Sequence, residues 1–163
     1  MGRAVLEHLI WQLDQSFQDK KEHSLLANLS SVTGDDLDKV VPGGGRTMRD
    51  LIFHCGAVKL MHVNHGFGDR SHTFWTTWDR EQIVAEASFE SLHDWLEESH
   101  ALVIEAVTQL VDDEELLVLR PTYWGEQWET RLLVDAIAIH DVYHAGEINH
   151  LRALIHQYSV GRL

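Results

Sequence analysis

The stretch Ile139-His140-Asp141-Val142-Tyr143-His144-Ala145-Gly146-Glu147 lies within a longer segment whose apolar residues recur at helical spacing. Leu133, Ile137, His140, His144, Glu147, Leu151 and Leu154 step by four, three, four, three, four and three. That alternation traces one stripe of a helix, of the kind that faces the core of a helical bundle. Two histidines and a glutamate in the middle of such a stripe need a reason. Burying polar groups without partners costs roughly 1–3 kcal/mol each. Residues i and i+4 project from the same helix face, so His140 and His144 can reach one metal ion, and the ion would be the missing partner.

A second stripe supplies a third donor. Leu51, His54, Val58, Met61 and His65 step by three, four, three and four, which points His54 inward from its own helix. If the two stripes face each other, His54, His140 and His144 converge. Three protein ligands leave one coordination position open, the arrangement of catalytic rather than structural zinc sites.

The remainder of the chain reads as further long helices. Leu6, Leu9, Ile10, Leu13 and Phe17 recur at helical spacing from about Ala4 into the twenties, with a break near Asp19-Lys20-Lys21 and a resumption through Leu25–Leu29. Residues 34–46 read as a loop, given Gly34, Pro42 and the Gly43-Gly44-Gly45 run. Thr47 with Asp50 three residues on predicts a helix start, and the helix runs to about His65 before Gly66-Phe67-Gly68. Asp69–Gln82, with Phe74, Trp75 and Trp78, lacks clear periodicity and reads as a loop with at most a short helix. A third long helix starts near Ser88, with Phe89, Leu92, Leu96, Ser99, Val103, Ala106 and Leu110 as its stripe. Residues 112–128 form a second long connection, and the last helix runs from about Thr130 to His156. Four amphipathic helices without convincing strands predict an all-α fold, a four-helix bundle, in one domain over residues 1–163.

Composition narrows the function. A net charge of −13 argues against nucleic acid, whose phosphates must be met by Lys and Arg, and against anionic membranes. The absence of an apolar run of about 18 residues predicts no membrane span. The N-terminal residues lack the apolar core of a signal peptide, and a single cysteine, Cys55, fits a reducing cytoplasm. The partner expected is a small-molecule substrate that reaches the open position of a three-histidine ion.

Other polar residues receive other readings. Glu147, one turn beyond His144, is a fourth ligand, an acceptor for a histidine N–H, a general base and hence a catalytic residue, or a solvated helix residue. Asp141 lies about 100° round from His140 and reads as a surface or interhelix acceptor. Cys55 reads as a buried, inert thiol. His8, His23, His62, His72, His150 and His156 read as solvated, and His65 as end-of-helix packing. Glu-x-x-His pairs build di-iron sites in helical bundles, but Glu90, His93, Glu97 and His100 fall off their helix's stripe.

The inward His54 together with His140-Asp-x-Tyr-His144-Ala-Gly-Glu147-Ile148 resembles the DinB-like (damage-inducible, YfiT-like) metalloprotein superfamily, which is unrelated to the translesion polymerase of that name. His23-Ser-Leu-Leu-Ala-Asn-Leu29, Pro42-Gly-Gly-Gly-Arg46-Thr47 and Leu51-x-x-His54 fit the family's earlier helices. The resemblance implies a four-helix bundle, a divalent metal (zinc or nickel) on a triad mapping to His54, His140 and His144, and frequent homodimers. It also implies chemistry with low-molecular-weight thiols such as bacillithiol, mycothiol or glutathione, as in thiol S-transferases and a maleylpyruvate isomerase. Metal-dependent hydrolysis and a non-catalytic, stress-related metal-binding role are the alternatives. Where many relatives carry Gln after His-x-Gly, this chain has Glu147.

Overall fold

The computed structural model of the protein describes residues 2–18, 22–42, 45–73 and 87–159. Among these residues the fold is all-α apart from one small hairpin. The helices are α1 (Ala4–Phe17), α2 (Leu25–Leu29), α3 (Met48–Phe67), α4 (Phe89–Thr108) and α5 (Thr130–Ser159). The break after Phe17 and the resumption at Leu25 follow the expected pattern. Phe74, Trp75, Trp78 and the Asp19-Lys20-Lys21 break itself lie outside the described residues.

Local chemistry sets the helix ends. Thr47 caps α3 by accepting from the Asp50 backbone N–H, while the Asp50 carboxylate accepts from the Thr47 backbone N–H. This reciprocal pair satisfies two donors that the first turn would otherwise leave open. Ser88 caps α4 in the simpler way, through the Ser91 backbone N–H. The long connection before α5 is not wholly irregular. It holds a 3₁₀ turn at Asp113–Leu117 and an antiparallel pair, β1 (Leu119–Pro121) with β2 (Gln127–Glu129), in which Arg120 faces Trp128. Gly125, at φ +93°, makes the turn between them, a backbone region that favours glycine.

Each long helix packs on two others: α3 on α4 and α5, and α1 on α4 and α5. α3 and α5 run antiparallel, because Gly66 meets Leu133, Lys59 meets Asp141, and His54 meets His140 and His144. The apolar core forms two clusters. One gathers Phe17, Leu25, Leu29, Leu51, Ile52, Leu96, Ile148 and their neighbours, and the other Leu6, Leu9, Leu13, Val103, Val107, Val134 and Ile137.

Between these clusters every long helix contributes buried polar groups: Ser16 from α1, Lys59 from α3, Ser99 and His100 from α4, Asp141 and His144 from α5. This polar layer corrects two expectations. His100 lies off the α4 stripe yet is only 4% exposed, stacked flat on Phe17 at a centroid distance of 3.8 Å. His62, expected in solvent, is also buried, against the edges of Tyr123 and Trp124. Each helix has neighbours on two sides, so one stripe does not exhaust its buried face. Among the described residues no helix is long and apolar enough to cross a membrane.

Close helix contact makes two glycines opposites. A Cβ on Gly56 would overlap the Trp95 indole of α4, whereas a Cβ on Gly146 meets nothing described within 4 Å. Gly56→Ala should therefore cost about 1–2 kcal/mol, the overpacking penalty outweighing the gain in helix propensity. Gly146→Ala should add roughly 0.5–1 kcal/mol. Thermal melts check both, at about 2–4 °C per kcal/mol for a chain of this size.

Candidate metal centre

The antiparallel register of α3 and α5 brings the two histidine-bearing stripes together at the polar layer. Nε2 of His140 lies 3.1 Å from Nε2 of His54 and 3.1 Å from Nε2 of His144. One donor atom from each ring lies within 4.8 Å of the others. The rings meet edge to face or tilted, with His54 and His144 centroids 4.8 Å apart. His144 is buried, and His54 and His140 are half-buried.

Glu147 acts on the far side of one ring. Its Oε2 accepts from Nδ1–H of His144 at 2.8 Å. That bond selects the tautomer in which Nε2 of His144 carries a lone pair toward the other two rings. Nε2 of His140 then faces two nitrogens at equal distance, and a single N–H can satisfy only one of them. Three neutral imidazoles so arranged leave lone pairs facing each other. A cation removes that conflict. Nitrogens sharing a tetrahedral ion at 2.0–2.1 Å would sit about 3.3 Å apart, close to the spacings found. The donor set thus fits one divalent ion held by His54, His140 and His144.

Burial also keeps these rings neutral, the form that ligates. It holds His54 down at about 4, helped by the nearby His144 and Arg46 charges, and it lowers His140 further, with His144 and His54 adding to the effect. His144 is lowered by burial too, against the opposing pull of the Glu147 carboxylate.

The sequence profile of the DinB superfamily matches residues 19–148, a span that takes in α2, the whole triad and Glu147. The chain belongs to the DinB superfamily. None of the curated proteins compared with it matches.

Around this DinB-superfamily site the other candidates fall into place. Cys55 is fully buried, as expected, and burial pushes its thiol up, away from the nucleophilic form. Glu90 and Glu97 are exposed, and His93 lies half-exposed 3.5 Å from Glu97, away from the triad. His65 is held by a bond between its Nε2 and the His72 carbonyl. Asp141 is an interhelix acceptor, not a surface one: it is completely buried and takes a charged bond from Lys59. Lys59 itself has no place in the two-stripe reading. Its signal was a lone charge within the apolar run Gly56-Ala57-Val58-Lys59-Leu60-Met61.

Two outcomes follow from this geometry. His54→Ala, His140→Ala and His144→Ala should each reduce bound metal in the purified protein by elemental analysis, while His93→Ala and His100→Ala should leave it unchanged. In the metal-free protein, burial lowers His54 and His62 to about 4 and His100 to about 3. Below about pH 6.5 the unfolded chain binds protons that these rings refuse. Urea unfolding of the metal-free protein should therefore show stability falling from about pH 6.5 toward pH 4, with a shallower fall in His100→Leu.

Proposed function

We propose that this protein is a metal-dependent enzyme that joins a low-molecular-weight thiol to an electrophilic small molecule, with zinc or nickel on His54, His140 and His144. The observation that carries the reading is that three imidazole nitrogens, and not four donors, converge among the described residues. When bound, the ion supplies Lewis acidity that lowers the pKa of a thiol or water at its remaining position.

The chain's own residues do the rest. Glu147 orients His144 through Nδ1, which fixes the tautomer and ring plane. Its side chain is 37% exposed, and Oε1 can accept a proton from an incoming thiol as the thiolate forms. The neutral rings of His54 and His140 keep their lone pairs for the ion at neutral pH, because burial disfavours their protonated forms. The partly solvated Glu147 is equally suited to take a proton from water, so metal-assisted hydrolysis is the second reading.

The test is a turnover screen of the metal-loaded protein with bacillithiol, mycothiol and glutathione against electrophilic acceptors, and with simple esters and amides. Thiol-dependent turnover supports the proposal, and turnover of esters or amides without thiol transfers support to hydrolysis. No turnover at all, with metal bound, contradicts both. Two substitutions separate the roles of Glu147. Glu147→Gln keeps an acceptor for His144 but not a base, so metal should be retained and turnover should fall about 10²-fold or more. Glu147→Ala should in addition weaken metal binding by about 10- to 100-fold, as read by competition with a chelator.

A further inference from the structure

α3 and α5 meet largely through apolar stripes, and apolar contacts specify register weakly as long as volume is preserved. A slip of one residue shifts a helix by about 1.5 Å and turns its side chains by about 100°. That is enough to part His54 from His140 and His144. Two described contacts resist such a slip. Leu133 fills the space that a Cβ on Gly66 would take, with its Cδ2 at 2.8 Å from that position. The other contact is the ion pair between Lys59 and Asp141.

This pair is entirely enclosed: both side chains are 0% exposed, and Lys59 donates to Asp141 Oδ1. Its two members lie close to the triad in sequence: Lys59 follows His54 by five residues, and Asp141 adjoins His140. The pair also reaches a third helix. The Lys59 ammonium lies 5.3 Å from the centre of the Phe17 ring of α1. The polar layer is not tuned for stability, because among the described residues both ring nitrogens of His100, Nδ1 of His62 and Oδ2 of Asp141 itself are buried without hydrogen-bond partners. Enclosed ion pairs are often replaceable by apolar side chains without loss of stability, and their best-attested use is to fix register.

We propose that Lys59 and Asp141 are positioning residues: their enclosed ion pair locks α3 against α5 in the one register that brings His54 to His140 and His144. The pair serves the geometry of the site and is dispensable for the fold. The inference rests on the triad being the metal site, so one of its readouts uses no metal.

Two double substitutions test it. Lys59→Met with Asp141→Leu replaces the pair by apolar groups of similar volume. Lys59→Asp with Asp141→Lys reverses it. Each is measured beside the parent protein for thermal stability in chelator, for Co²⁺ affinity by chelator competition, and for the ring ¹⁵N shifts of His54, His140 and His144 in the metal-free state. The expected result for the apolar variant is a melting temperature at or above the parent's, Co²⁺ affinity reduced by about tenfold or more, and ring shifts moved toward those of exposed histidines. The reversed variant should retain the parent's ring shifts and most of its affinity.

An apolar variant that folds and keeps both affinity and ring shifts would overturn the proposal. So would a folded reversed variant that loses the ring shifts. Failure of both variants to fold would overturn it as well, since the pair would then be needed for the fold itself. If the parent binds no Co²⁺, the metal reading fails, and the ring shifts alone decide whether the pair positions the histidines.

Discussion

The structure turns on a layer of polar side chains enclosed between two apolar clusters. Lys59 and Asp141 are its charged members, with Ser16, Ser99, His100 and His144 around them. Removing charges from water costs several kcal/mol per ion even after relaxation, so such a pair survives only when its partners meet in one geometry. Leucines on two sliding helices can exchange neighbours, whereas an ammonium and a carboxylate cannot. The layer therefore does what the apolar clusters cannot, which is to distinguish one helix register from the next. The histidine triad stands in the same layer, on the same two helices.

The triad's electrostatics follow from that position. Burial disfavours the protonated form of every ring, so the nitrogens keep their lone pairs at neutral pH. The Lys59 charge adds to this at His140 and is balanced locally by Asp141. Glu147 works in the other direction, holding the proton of His144 on Nδ1 and leaving Nε2 to face its neighbours. The result is three donors, one fixed tautomer and a partly solvated carboxylate, an arrangement suited to binding a cation and handling a proton beside it.

Much of this was legible in the sequence. Thr47 and Asp50 announced the start of α3 because capping is local chemistry between residues three apart. His140 and His144 announced a face because helical periodicity needs only sequence distance, and His54 followed from the same argument on another helix. What the sequence hid was whatever depends on which helices become neighbours. His62 and His100 lie outside the main stripes, and only packing on a second side buries them. Lys59 shows in the sequence only as a lone charge in an apolar run, and its partner on α5 depends on packing. The β1–β2 hairpin escaped because its three-residue strands, one ending in Pro121, are too short to show alternation.

The central claim is that His54, His140 and His144 hold one divalent ion as a set. X-ray absorption at the metal edge of protein loaded with a single equivalent of zinc tests it most directly. The account predicts three imidazole nitrogens at about 2.0–2.1 Å, recognisable by the multiple scattering of their rings, with a lighter exchangeable ligand completing the shell. A shell made of carboxylate or water oxygens, with fewer than two imidazoles, would contradict it.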